Sequence, residues 1–254
     1  AYDGPHRVVL NRNERNLGIA GHFNRIMQTA EGVFVVVNAG DDISFPDRTL
    51  ITVQELLQDK KLAYVETNIV LMSCDGTLLP DQSTETEKKR YCIEDLICRR
   101  MKFHGAARTY RKSTILRFPP LNPQCPTEDT TCLLRALLCG DGVVLPTNGV
   151  KWRVHDGNLS SVSSLKNMPL LRIYNQYKSD ILYMTKPGAL SSRKSKKILG
   201  LLSYWIIKRI CSQKDVNPKS KFDYLRIIFN ARWLTLMEKI HAVEAIFLYR
   251  RVKK

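Results

Sequence analysis

Apolar positions near the start of the chain follow two different spacings. Residues 19–30 carry apolar side chains three or four positions apart, which predicts a helix, and Gly32 is expected to end it. Residues 33–37 are all apolar and mostly β-branched, as in a strand that is buried on both faces of a sheet. Upstream, residues 8–10 form a short apolar run before Asn-Arg-Asn, which predicts a strand that enters a turn.

Strand-like and helix-like segments continue to alternate as far as residue 155. Residues 62–71 and 143–145 have strand-like sequences, and helices are predicted for residues 49–57, 91–100 and 130–139. Short strands that alternate with helices favour an α/β fold built on one main sheet. From residue 166 the chain is helical in pattern and basic. We therefore divide it into residues 1–165 and a basic helical region, residues 166–254.

Charge is distributed unevenly over the 254 residues, whose formal net charge is +16. Residues 150–254 contain 22 Lys and Arg against 6 Asp and Glu, whereas residues 1–149 contain 18 of each kind. A basic appendage of this kind suits anionic lipid headgroups, lipid-linked phosphates or nucleic acid. A solvated surface that only aids solubility remains the alternative.

Several features bear on the cellular location. The sequence shows neither a signal peptide nor a stretch approaching 18 uninterrupted apolar residues. Its seven cysteines are odd in number and form no C-x-x-C pair, which favours reduced thiols over a zinc knuckle or a disulfide framework. We expect a cytoplasmic protein that could lie peripherally at the inner face of a membrane.

An acidic pair, Asp41 and Asp42, follows the apolar run of residues 33–37 directly. Sheets of this class bind their ligands where strands end, and Gly40 leaves the pair without a neighbouring side chain. Carboxylate oxygens suit Mg²⁺ or Mn²⁺, which can hold a nucleotide diphosphate and help it to depart. The competing interpretation is that the pair caps a helix.

The surrounding sequence resembles the central segment of family 2 glycosyltransferases. The resemblance begins with an Asn-x-Gly loop at Asn16 and Gly18 and a helix that bears Asn24. An A-x-G-x-hydrophobic stretch at residues 30–34 and the acidic motif of Gly40, Asp41, Asp42 and Ile43 follow, and then Pro46 and Arg48. The resemblance implies that Asp41 and Asp42 bind metal and that Asn16, Gly18, Asn24 and Gly40 bind the donor. The family motif is commonly Asp-x-Asp, and Ala39 occupies its first position here.

A second motif, Thr127-Glu128-Asp129, opens the helix predicted for residues 130–139, which Gly140 closes. It resembles the Glu-Asp motif of the same family, in which the Asp is the catalytic base, and Glu128 would then lie on the acceptor side. A carboxylate at a helix N-terminus is kept ionised by the helix dipole. Because Thr127 is also a good N-cap and acidic residues favour a first turn, a structural role is the alternative.

A third motif, Arg153-Val154-His155 followed by Asn158 and Ser160, resembles the closing segment of the family. Two residues apart on an extended chain, Arg153 and His155 face the same side, where they could bind the donor diphosphate. His104 lies in the region that lines the acceptor pocket in this family. A histidine in isolation is more often structural.

The resemblance implies a GT-A-like, Rossmann-type mixed sheet flanked by helices. It also implies metal-dependent, inverting transfer from a nucleotide-diphosphate sugar to a glycan or lipid-linked acceptor, as in polysaccharide synthesis. Family members begin with a strand, a helix and an acidic turn that precede the matched segment, so we expect an N-terminally truncated domain. The alternative is a non-catalytic basic module that binds a membrane surface or nucleic acid. Nucleic acid is the less favoured partner because the aromatic residues of segment 186–254 recur at helical spacing.

Overall fold

The structure, a computed structural model, describes most of the first 211 residues and some positions beyond them. The described residues are 3–80, 85–98, 100, 101, 104–155, 157, 158, 168–211, 225, 226, 228, 229, 236, 239, 240 and 243. The sequence also indicates a Pro-Lys-rich break near Pro218, which lies outside the described residues.

Six strands form one mixed sheet. Its main path runs β1-β5-β3-β6-β2, and β4 pairs with β6 as well. The strands are β1 (Phe34–Val36), β2 (Ile43–Ser44), β3 (Leu62–Met72), β4 (Lys89–Tyr91), β5 (Arg108–Arg111) and β6 (Asp141–Arg153).

The two long strands, β3 and β6, form the centre of the sheet and run parallel, with Leu62 opposite Asp141 and Met72 opposite Arg153. Strand β5 is antiparallel to both β1 and β3, so β1, β3 and β6 all point in the same direction. These three strands finish, and β5 begins, at one end of the sheet, which we call the carboxyl edge. The opposite end is the amino edge.

Helices cover the sheet and connect its strands. Helix α1 buries Ala20, Phe23 and Met27, which recur at helical spacing. The helices are α1 (Gly18–Thr29), α2 (Arg48–Gln58), α3 (Ile93–Ile97), α4 (Lys112–Leu116), α5 (Asp129–Cys139), α6 (Leu170–Thr185) and α7 (Ser192–Cys211), with a 3₁₀ turn at Gly105–Ala107. None of the helices in the described part of the chain is long and apolar enough to cross a membrane.

The direction of α5 follows from its C-terminal contact. A Cβ placed on Gly140 would lie 2.4 Å from the backbone oxygen of Lys61, immediately before β3. The C-terminus of α5 is therefore packed against the amino edge, and only glycine fits there. Its N-terminus, with Asp129, consequently points towards the carboxyl edge.

Helices α6 and α7 share the main hydrophobic core with the sheet. Ile181, Met184 and Ile198 pack in the same buried cluster as Tyr64 and Leu134. Between α5 and α6, the buried Arg135 donates from Nε and Nη2 to the two carboxylate oxygens of Asp180, both at 2.8 Å. The described part of region 166–254 is therefore joined to the sheet by apolar packing and by a buried ion pair.

Most predicted helices and strands are present, but three predictions were wrong in detail. Residues 8–10 are exposed and form no strand, because polar contacts such as Arg7 with Glu31 hold this segment beside α1 and no described strand pairs with it. Strand β1 is half-buried at the end of the sheet and is not covered on both faces. Helix α1 is capped by Ala30, two residues before Gly32.

The stretch from 85 to 116 differs more from its prediction. Residues 89–91 form β4, and α3 covers only Ile93–Ile97 of the predicted helix 91–100. Strand β4 is stabilised by its partner β6, with Tyr91 opposite Gly142, and the local sequence carries little sign of that pairing. Helix α4 was not predicted either.

Candidate active site

Residues 37–42, which contain Asp41 and Asp42, form a loop between β1 and β2 at the carboxyl edge, and we call it the acidic loop. The Nε2 atom of His155 is 2.9 Å from Oδ2 of Asp41, and these two residues are 114 positions apart. Asp41 is 45% exposed, and its hydrogen bond with His155 lowers its pKa. Arg153, the last residue of β6, donates from Nε to the backbone oxygen of Asp41 at 2.9 Å. The first and third motifs therefore meet.

Asp42 points inward from the same loop and is only 9% exposed. Its Oδ1 accepts a hydrogen bond from the backbone N–H of Arg153 at 2.9 Å. Its Oδ2 is buried and has no hydrogen-bond partner among the described residues. Because burial disfavours the charged form, the pKa of Asp42 is raised. The two carboxylates thus have different surroundings, one open and one enclosed.

Arg48, the first residue of α2, lies beneath this loop and is completely buried. Its Nη2 donates to the backbone oxygens of Val37 at 2.7 Å and Ala106 at 2.9 Å, and its Nη1 donates to Oγ of Ser44 at 2.9 Å. Burial lowers its pKa to about 10. One side chain therefore connects the end of β1, strand β2 and the 3₁₀ turn before β5.

That 3₁₀ turn supports the second motif. A Cβ on Gly105 would lie 2.7 Å from Oδ2 of Asp129, so the glycine lets the turn pass directly against this carboxylate. The backbone N–H of Thr130 donates to Oδ1 of Asp129 at 2.6 Å, and the hydroxyl of Thr127 donates to the same oxygen. Oδ1 is thereby fixed, and Oδ2 is directed towards the turn that Arg48 holds.

The backbone around Asp129 is held by a buried ion pair. Arg108 donates from Nη1 to the backbone oxygen of Asp129 and from Nε to Oε2 of Glu66, both at 2.8 Å. The other oxygen of Glu66 accepts the backbone N–H of His104 at 2.7 Å. This hydrogen bond fixes the backbone at His104, the residue before Gly105. Glu128 is half-buried next to Asp129, and burial, followed by the neighbouring Asp129 charge, raises its pKa.

Three residues predicted to bind the donor make structural contacts within the protein. Oδ1 of Asn16 accepts the N–H of Gly18, whose φ of 69° favours glycine, and together they start α1. The amide of Asn24 donates to the backbone oxygen of Leu121 at 2.7 Å and accepts its N–H at 2.8 Å. These contacts give Asn16, Gly18 and Asn24 a structural role at α1, and their assignment to donor binding stays a prediction. A Cβ on Gly40 would meet nothing within 4 Å, so that position faces open space.

The acidic loop offers some, but not all, of the ligands that a divalent cation needs. Within the described residues, no three His, Cys, Asp or Glu side chains gather as a metal-binding group. The exposed carboxylate of Asp41 and the ring nitrogen of His155 are close enough to share one ion, and both suit Mn²⁺. Asp42, predicted as the second metal ligand, is enclosed, and His155, predicted to bind the donor, lies beside Asp41. Both assignments stay predictions.

No protein-family model and no curated relative match the sequence. Among solved structures, S. aureus TarS 1–349 in complex with UDP-GlcNAc aligns with a TM-score of 0.54 at 15% identity, covering 90% of this chain and 64% of that one. The structure of TarS 1–349 alone aligns with a TM-score of 0.52 at 14% identity, covering 92% and 64%. The chain has a mixed α/β fold of the glycosyltransferase type.

The predicted fold class is thereby confirmed, and the chain spans about 64% of the length of the TarS chains that it matches. Two buried features beside these motifs were missed in the sequence. Arg48 was noticed only as part of a motif, and the pair of Glu66 and Arg108 was not singled out at all. A charged residue inside an apolar strand, as Glu66 is in β3, was the available indication, because unpaired charges are costly to bury.

Proposed function

We propose that this protein is an inverting glycosyltransferase that transfers a sugar from a nucleotide diphosphate to an acceptor hydroxyl. The observation that carries the proposal is the contact between Asp41 and His155, which joins two motifs 114 residues apart at one edge of the sheet. Arg48 and Gly105 connect that contact to Asp129. The fold shared with TarS, one structure of which contains UDP-GlcNAc, supports the same class of donor.

In this proposal Asp129 is the general base. Direct displacement at an anomeric carbon requires a group that removes the proton of the attacking hydroxyl as the new bond forms. Oδ1 of Asp129 already accepts two hydrogen bonds, so Oδ2 is the oxygen that would take the proton. Glu128 precedes Asp129 in the chain and His104 precedes Gly105, whose backbone lies against this carboxylate. Both would contact the acceptor, a glycan or a lipid-linked sugar.

Asp41 and His155 would hold Mn²⁺ or Mg²⁺, which, when bound, offsets the charge that develops on the departing diphosphate. Gly40 leaves open space beside them, where a bulky ligand can approach the loop. Arg153 contributes by fixing the loop, since its Nη1 also donates to the backbone oxygens of Ser73 at 3.1 Å and Cys74 at 2.7 Å. It thereby connects the ends of β3 and β6 to the acidic loop.

Mn²⁺ binding with and without UDP, followed by electron paramagnetic resonance, tests the proposal. We expect the chain to bind Mn²⁺, with UDP strengthening it, and Asp41→Asn to abolish most of that binding. Asp59→Asn is the matched control, because Asp59 is also a carboxylate in an ion pair, with Arg90, but lies before β3 at the amino edge. Equal Mn²⁺ affinity in the wild type and Asp41→Asn would contradict the proposal and favour a non-catalytic basic module.

A further inference from the structure

The amino edge of the sheet, opposite the candidate active site, has a surplus of exposed cations. Lys60, Lys61 and Arg117 line an open depression of about 590 Å³ together with Ser113 and Leu116. These three cations form no ion pair with any described carboxylate. The depression therefore presents positive charge, a hydroxyl group and apolar carbon to solvent.

The ends of two helices extend this edge. The rings of Phe118 and Tyr183 lie 6.0 Å apart, which places the C-terminal turn of α6 beside the segment that follows α4. Lys194 pairs with Glu94 of α3, which places the start of α7 near the end of β4, also at the amino edge. The exposed cations that these helices add are Lys186, Arg193, Lys196 and Lys197.

Acidic residues on the same edge are neutralised. Arg90 pairs with Asp59 at 2.7 Å and with Asp141 at 2.9 Å, and Glu94 pairs with Lys194 at 2.9 Å. At the carboxyl edge, by contrast, Asp41 and Asp129 are accessible or partly accessible carboxylates. The unpaired cations of the depression thus lie at the end of the sheet away from the candidate active site.

Apolar side chains are exposed among these cations. Leu116 is 51% exposed, Leu182 is 43% exposed and Tyr183 is 42% exposed. Leucine and tyrosine interspersed with Lys and Arg favour the headgroup region of a bilayer, where the apolar groups enter the interface and the cations meet phosphates. A surface that binds nucleic acid would need the cations but not the exposed leucines.

We propose that the amino edge docks on an anionic membrane surface. The surface is formed by Lys60, Lys61, Arg117, Lys186 and the start of α7, with Leu116, Leu182 and Tyr183 entering the interface. This orientation directs the carboxyl edge away from the bilayer, towards an acceptor that extends from the membrane or is free in solution. The inference does not depend on the proposed catalytic activity, because it rests on a different face of the molecule.

Co-sedimentation with vesicles tests the docking surface. We expect the full chain to bind phosphatidylcholine vesicles that contain 30% phosphatidylglycerol at low salt, and to bind pure phosphatidylcholine weakly. The variant Lys60→Gln/Lys61→Gln should lower the partition coefficient by about 30-fold, because each cation at an anionic surface contributes about a factor of five. The matched control is Arg12→Gln/Arg15→Gln, which removes the same charge from the exposed segment before α1.

Three results would overturn the docking proposal. Equal losses in the two double variants would show a response to net charge alone. Unchanged binding in Lys60→Gln/Lys61→Gln would assign the vesicle affinity to another part of the chain. Leu116→Ser should weaken vesicle binding while leaving retention on heparin unchanged. If it alters neither, the edge is a general polyanion surface and not a membrane-docking one.

Discussion

Two buried arginines, Arg48 at the carboxyl edge and Arg135 between α5 and α6, are surrounded very differently. Arg135 donates to both carboxylate oxygens of Asp180, and its guanidinium carbon lies 5.0 Å from the centroid of the Phe118 ring. The side-chain amide of Gln176 donates to Asp180 as well. Arg48 has only neutral direct partners, and its Nε has no hydrogen-bond partner among the described residues.

The nearest compensation for Arg48 is the charge of Asp42, which raises the pKa of Arg48 against the larger lowering by burial. Asp42 itself has an oxygen without a described partner. A completed polar network stabilises the fold, whereas an incomplete one costs free energy and persists where function requires it. The polar network between α5 and α6 is thus complete, whereas the one at the carboxyl edge is not, which fits the binding role proposed for that edge.

The largest effect should come from Asp129→Asn, which keeps the shape of the side chain but removes the proton acceptor. General-base catalysis contributes on the order of 10²–10⁴-fold, so kcat should fall by about that factor. Steady-state kinetics with a nucleotide-sugar donor measure it. Donor affinity should stay within error, because the base contacts the acceptor. Near-normal turnover would remove Asp129 from the mechanism.

Arg135→Met tests the opposite region. It leaves Asp180 buried without its cation, and breaking a buried pair in this way costs about 3–5 kcal/mol of the free energy of unfolding. Denaturant titration measures the loss. Mn²⁺ affinity of the folded fraction should not change, and Arg135→Met/Asp180→Leu should recover part of the stability. A variant as stable as the wild type would show that the ion pair contributes no more than apolar packing does.

Arg48→Lys separates position from charge at the carboxyl edge. A lysine keeps the cation but cannot reach Val37, Ala106 and Ser44 together, so the acidic loop and the turn under Asp129 should shift. Because small misplacements in a catalytic site can cost up to about 100-fold, we expect kcat and Mn²⁺ affinity to fall about 10-fold to 100-fold. The control is Arg135→Lys, which should change thermal stability and leave Mn²⁺ affinity unaltered. Loss of stability alone in Arg48→Lys would make Arg48 purely structural.

The smallest effect concerns Asp42→Asn. Since the pKa of Asp42 is raised in the folded protein, its ionised form opposes folding, and stability falls as pH rises from 3.8 through the folded pKa. The amide removes that loss, so the free energy of unfolding at pH 7 should be equal to or above that of the wild type. Asp41→Asn should do the reverse, because the lowered pKa of Asp41 contributes stability that is lost only as pH falls below 3.8. Unfolding titrations between pH 3 and pH 7 distinguish the two.

Local patterns predicted the regular elements well. The helix expected at residues 49–57 is α2 (Arg48–Gln58), and the strand expected at 62–71 is β3, because apolar periodicity in both is set by the face that each buries. The acidic loop also follows its strand at the sheet edge where a ligand was expected. These features depend on neighbours in the sequence or on burial alone.

Contacts between segments that are distant in the sequence could not be predicted from local sequence patterns. Asn24 reads as a donor ligand in the motif, yet its partner is Leu121, 97 residues away. His155 becomes a neighbour of Asp41 only because β6 extends for 13 residues to the end of β3. No spacing near residue 41 indicates this contact between His155 and Asp41.

The parallel pairing of β3 with β6 has a consequence for synthesis in the cell. Leu62 pairs with Asp141, so β3 cannot gain its central partner until the chain has been translated at least to that point. At about 5–20 residues per second, the delay is roughly 4–16 s. During that time the apolar stretch from Ile69 to Met72 is exposed on a nascent chain. Chaperones that shield this strand until β6 has been synthesised should therefore raise the soluble yield of the protein.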